Sequence, residues 1–138
     1  GIYPSLCLTI DSKTYPRLWH WIDEQIQKYA LKITNKGQLS HDKIIELYRQ
    51  SGAMIFSSRL ESLGLPLIEA RIEGLPILAS ELDFVRDIID PEETFDPLSA
   101  LSINRAVRRF LSIEQENLTL VNAEEFLKTI VINQNRQE

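Results

Sequence analysis

Glu61 and Glu69 have seven residues between them in the stretch ESLGLPLIEA (61–70), one on each side of Gly64-Leu65-Pro66. Carboxylates accept hydrogen bonds from hydroxyl groups. Pro66 suits a helix start, where its missing N–H does no harm, and Gly64 lets the backbone approach a ligand closely. Main-chain N–H groups at such a start gather at the positive end of a helix dipole and favour phosphate. Gly64 and Leu65 then offer an anion grip, with one acid before it and another behind. The ligand this suits has phosphate in the middle and polyol at both ends, which is the layout of a nucleotide sugar. Arg59, two residues before Glu61, can steady the phosphates or Glu61 itself.

These residues need a scaffold, and the rest of the chain describes one. Short apolar runs alternate with amphipathic stretches: SLCLTI, PRLWHWIDEQIQKYA, LKIT, HDKIIELYRQ, AMIFSS, PLIEARIE, PILAS. AMIFSS and PILAS are nearly continuous in apolar and small residues, as central parallel strands covered on both faces require. Parallel strands need crossover helices. The expected fold is therefore α/β, a doubly wound parallel sheet with helices on both faces. Ser57, Ser58, Arg59 and Glu61 fall at the carboxyl end of a strand, where open sheets of this kind bind ligands.

Pro16 suits the first turn of the first helix, whose stripe Trp19, Ile22, Ile26 and Tyr29 is expected to face the sheet. Ser40 can cap the second helix, with Asp42 in its first turn. Gly74 can close the third helix in a left-handed conformation, and Pro76 opens the next strand. Residues 81–90 predict a short helix, 94–97 an edge strand, and 100–112 and 122–134 two closing helices.

Composition narrows the function classes. A chain of 138 residues with 43% hydrophobic content suits one domain, and a net charge of −5 disfavours nucleic acid and anionic membrane as partners. The single cysteine, Cys7, cannot form an internal disulfide, and a reducing compartment follows as the expectation. No apolar run approaches the ~20 residues of a membrane span. No His, Cys and Asp cluster has metal-ligand spacing, so neither a metal nor a resident cofactor is expected. Plainer roles exist for several residues. The dipole of the third helix favours an acid such as Glu69 in its first turn, His41 reads as a surface helix-start residue, and His20 between Trp19 and Trp21 fits a helix with Trp19 inward.

ESLGLPLIEA, with GAMIFSSR before it and RIEGLPILASE after it, resembles the C-terminal, nucleotide-binding domain of GT-B retaining glycosyltransferases, in particular the GT4-type "group 1" enzymes. The resemblance runs from about His41 to Pro97. It implies a Rossmann-like domain forming one half of a GT-B fold, with residues 1–138 a single donor-binding domain that lacks the N-terminal acceptor domain. Glu61 is implied as the catalytic-end residue on the donor sugar, Gly64 and Leu65 as amide donors to the diphosphate, Glu69 as the holder of the ribose hydroxyls, and Gly37 as part of the turn beside the base. The implied partners are a nucleotide sugar, the missing N-terminal domain, and a glycan or lipid-linked acceptor in polysaccharide biosynthesis. The implied location is the cytoplasm, or the inner face of the membrane in the intact protein.

Two departures stand out. Ser62 replaces a glycine common in the family, and the upstream Arg and Lys that neutralise the diphosphate have no equivalent in Lys13, Arg17 or Lys36. The isolated chain is accordingly expected to bind nucleotide weakly and to transfer no sugar. Two rivals remain. One is a non-catalytic nucleotide-binding or regulatory module of the same fold. The other is a receiver-like domain built around Asp11, which lacks the lysine that such a domain needs after its fifth strand.

Overall fold

The computed structural model describes residues 4–113, in which strands and helices alternate. The order is β1 (Leu6–Leu8), α1 (Pro16–Tyr29), β2 (Ile33–Asn35), α2 (His41–Gln50), β3 (Met54–Phe56), α3 (Leu65–Ile72), β4 (Ile77–Ser80), α4 (Asp83–Arg86), β5 (Glu93–Phe95) and α5 (Ala100–Phe110). The second closing helix expected at 122–134 lies outside the described residues.

Every strand pairing among the described residues is parallel, as the buried apolar runs require. β4 lies between β3 and β5, with Met54 opposite Ile77 and Ser80 opposite Phe95. β1 pairs with β2, Leu6 opposite Ile33 and Leu8 opposite Asn35. The α/β class holds, but the strands form two hydrogen-bonded sheets among the described residues, β1-β2 and β3-β4-β5. Burial differs sharply between them. All four residues of β4 are buried, whereas β1 contributes no buried side chain.

Because side chains alternate across a strand, β4 feeds two separate cores. Ile77 and Ala79 pack with Phe56 of β3, Leu67 and Ala70 of α3, and Val85 of α4. Leu78 points to the other face and packs with Phe95 and with Ala106 of α5. β4 is thus covered on both faces, as the unbroken run PILAS indicates.

α3 carries Leu65 and Glu69, and its limits follow from local chemistry. Gly64 stands at the N-cap in a left-handed conformation (φ 58°), and Pro66 is the second helical residue. Leu67 and Ala70, three apart and fully buried, dock the helix on β4. Gly74 (φ 72°) follows the end of the helix, where only a residue tolerant of positive φ continues the chain without strain. A salt bridge from Arg49 on α2 to Glu73, at 2.7 and 3.0 Å, ties the far ends of α2 and α3 together.

Three expectations need correction. The α1 stripe shortens, because Trp19, Ile22 and Ile26 are half-buried but Tyr29 is exposed beside the left-handed cap at Ala30. Ser40 occupies the N-cap of α2, yet its hydroxyl makes no capping bond. Glu69 is the fifth residue of α3, beyond the first turn, which contains no acid. His20 pairs with Glu24 at 3.2 Å on the exposed side of α1, so the Trp-His-Trp run reflects an ordinary helix surface.

Candidate functional site

The loop from β3 to α3 holds Glu61 and Gly64 at the carboxyl end of the three-stranded sheet, and Leu65 begins α3. Glu61 is half-buried and makes no hydrogen bond or ion pair among the described residues, so its carboxylate keeps all its acceptor capacity. Leu65 is 55% exposed. Gly64 is buried, and an added β-carbon would collide with the Cδ1 of Ile88. Its missing side chain is therefore explained by positive φ and by packing beneath the loop, not by room left for a ligand. The carbonyl of Gly64 accepts from Leu67 and Ile68, which starts the helix. Among the described residues the amides of Gly64 and Leu65 donate to no acceptor.

Glu69 sits one turn further along. A helix dipole acts mainly on the first turn, so it does not account for an acid at this position. What holds Glu69 is His41, the first residue of α2, whose Nε2 lies 3.0 Å from Glu69 Oε1. Tyr48, seven residues after His41 and on the same helix face, also borders Glu69. Its phenol titrates above the usual range, first because of burial and second because of the Glu69 charge. His41 is the exposed first residue of α2, as expected from sequence, and it is also the partner of Glu69. The seven-residue interval between His41 and Tyr48 signals a shared face, but nothing local shows that the face meets Glu69.

Gly37 lies in the turn between β2 and α2, with φ 68° and open space where a β-carbon would stand. Its N–H donates to Asn35 Oδ1 at 3.2 Å, the same oxygen that accepts from the Ile10 amide at 2.9 Å, while Asn35 Nδ2 donates back to the Ile10 carbonyl. Asn35 so fastens the loops after β1 and β2 to each other. Beside them is an open cleft of about 510 Å³ lined by Ile10, Asp11, Tyr15, Leu18 and Gln38. Asp11 is consumed by its own turn, accepting from the Lys13 amide at 2.9 Å and the Thr14 hydroxyl at 2.5 Å. These bonds, Thr14 first, hold its carboxyl below the usual range. A carboxylate so engaged is a turn residue, which removes the main support for a receiver-like role.

Arg59 stands two residues before Glu61 in the same loop. It is exposed, makes no ion pair among the described residues, and lines a second cleft of about 720 Å³ with Glu81, Leu82, Asp96 and Leu98. Glu81 in that cleft is gripped by Arg86 at 2.9 and 2.8 Å. Arg86, and then Thr94, pull its pKa down to about 2.

The structure therefore links Glu69 to His41 and, through the start of α2, to the Gly37 turn. Glu61 and Gly64 share the loop that leads into α3, Leu65 begins the helix, and Arg59 lines a neighbouring cleft. Among the described residues, no three His, Cys, Asp or Glu side chains stand together as a metal site. No helix among them is long and apolar enough to cross a membrane.

Comparison with known proteins bears on the family and the fold. The family profile described as "Glycosyl transferases group 1" matches residues 20–125. Two versions of a serotype-specific mannosyltransferase, WbdA, of Escherichia coli are 32% and 34% identical over 80 residues, 57% of this chain. The matched segment is 10% of each relative, so the chain spans about a tenth of the length of these curated relatives. Among solved structures, the sucrose-phosphate synthase of Thermosynechococcus elongatus superposes with a TM-score of 0.63 at 26% identity. The superposition covers 78% of this chain and 28% of that one.

Proposed function

The chain belongs to the glycosyl transferases group 1 family, and from that premise we propose that it is the donor-binding domain of a retaining GT-B, GT4-type glycosyltransferase. Its substrate is a nucleoside-diphosphate sugar, and the glycosyl group goes to a glycan or lipid-linked acceptor during polysaccharide biosynthesis in the cytoplasm. The mannosyltransferase relatives make a mannosyl donor the first to test.

The observation that carries the proposal is the start of α3. Two amides without acceptors among the described residues, at Gly64 and Leu65, have an unengaged carboxylate before them in Glu61 and an oriented one after them in Glu69. In transfer, the bond from the anomeric carbon to the diphosphate oxygen breaks, a bond to an acceptor oxygen forms, and the acceptor's hydroxyl proton passes to the leaving diphosphate. The leaving diphosphate gains negative charge, and donors already aimed at it lower the barrier. The amides of Leu65 and Gly64 serve that purpose. Arg59 is the cation nearest to them in sequence and has no ion pair to give up among the described residues. Glu69 accepts from the ribose hydroxyls, Glu61 from the donor sugar, and the base rests by the Gly37 turn. The acceptor and its site belong to a further, N-terminal domain of the intact enzyme.

Isothermal titration of the 138-residue chain with GDP, UDP and inorganic diphosphate tests the proposal. One nucleotide is expected to bind more tightly than inorganic diphosphate, and Glu69→Ala to weaken it about tenfold, the worth of one hydrogen bond to a charged group. Equal binding of nucleotide and diphosphate, or an E69A variant with wild-type affinity, would overturn it.

A further inference from the structure

We infer that His41 is a positioning residue for donor recognition, acting through Glu69; this rests on the assignment of Glu69 to the ribose hydroxyls. An ionised Glu69 only accepts, so the nitrogen facing it must carry the proton, and Nε2–H donates across 3.0 Å to Oε1. That bond occupies one carboxylate oxygen and leaves Oε2 for an outside hydroxyl. A glutamate side chain has several rotamers, and fixing one before the ligand arrives removes part of the ordering cost of binding. The frame that carries His41 is itself fixed. α2 and α3 are clamped at their far ends by Arg49 and Glu73, and Tyr48 borders Glu69 between the two pairs. His41 also begins the helix that follows the Gly37 turn, so a single contact joins the base side of the proposed site to its ribose side.

The test is titration of the 138-residue chain with GDP or UDP, whichever binds more tightly, and with its 2′,3′-dideoxy analogue. Wild type, His41→Ala, His41→Gln and Glu69→Ala are compared. His41→Ala is expected to weaken the ribonucleotide about fivefold, roughly what one hydrogen bond contributes. His41→Gln, whose amide N–H can take the place of Nε2–H, is expected to restore affinity. The dideoxy analogue, with no hydroxyls for Glu69 to hold, is expected to bind H41A and wild type alike.

If E69A weakens the ribonucleotide and H41A does not, the role of His41 is overturned while that of Glu69 stands. H41A weakening both ligands equally would show a general structural effect and also overturn it. Should E69A itself bind the ribonucleotide as wild type does, the ribose assignment falls and this inference with it.

Discussion

The Cδ1 of Ile88, just beyond α4, lies against the face of Gly64 where a β-carbon would stand. Gly64 is thereby held from below by the core while its backbone turns through a positive φ to start α3. The loop that presents Glu61 and the helix that presents Glu69 meet at this one residue, so its conformation sets their relation.

Gly64→Ala tests that hinge. Alanine is strained at φ 58°, and its methyl group must displace Ile88, although the end of an isoleucine side chain gives way more easily than backbone would. A loss of about 1–2 kcal/mol in urea unfolding is expected. Adding Ile88→Val should recover only the smaller, steric share, because the strained φ remains.

With Glu61 on the donor sugar, as proposed, its loss is expected to separate sugar recognition from nucleotide recognition. Its carboxylate is unengaged among the described residues, so Glu61→Ala should leave folding and nucleoside-diphosphate affinity unchanged. Affinity for the matching nucleotide sugar, GDP-mannose first, should fall about tenfold. Competition binding against free GDP measures the difference, and equal affinity of both variants for the sugar donor would remove Glu61 from the site.

Glu81 predicts a pH dependence. Arg86, with Thr94, lowers its pKa from an ordinary 4.5 to about 2 in the folded protein. A depressed folded pKa means that the unfolded chain takes up the proton first on acidification. The contribution of Glu81 is therefore fully present above pH 4.5 and is lost as pH falls toward 2. Glu81→Gln should lower the melting temperature at neutral pH, with the gap to wild type closing between pH 4.5 and 2. Both partners are well exposed, so high salt should shrink the gap.

Glu92 ties the opposite end of the sheet. Its Oε2 accepts from the Ile77 amide at 2.7 Å, while its own N–H donates to the Ile77 carbonyl at 3.0 Å. Arg71 on α3 holds the same carboxylate at 2.6 Å. Burial alone would raise its pKa, but Arg71 and the Ile77 amide outweigh this and keep it low. Glu92→Ala leaves the amide of fully buried Ile77 without this acceptor, which costs about 1–3 kcal/mol. Urea unfolding should register that loss, and Arg71→Ala should lose less because the Glu92–Ile77 bond survives.

Much of this protein was legible along the chain because local chemistry encodes it. An unbroken apolar run such as PILAS, opening at Pro76 and followed by a polar stretch, reads as a strand covered on both faces, and Gly74 before Pro76 reads as the end of a helix and the start of a strand. The wording around Glu61 and Glu69 carried the family. Other features were not legible, because each depends on segments far apart in sequence. The division of the strands into two sheets depends on which edges meet. The cleft that Arg59 lines is completed by Glu81 and Asp96, which only the pairing of β4 with β5 brings to it. The partner of Glu69 lies 28 residues away and reaches it because half-buried Tyr48 of α2 packs against the core that holds Leu67 and Ala70 of α3. Backbone preferences and hydrophobic periodicity act within a few residues and can be read from the chain, whereas side-chain partnerships between elements are decided by how those elements pack.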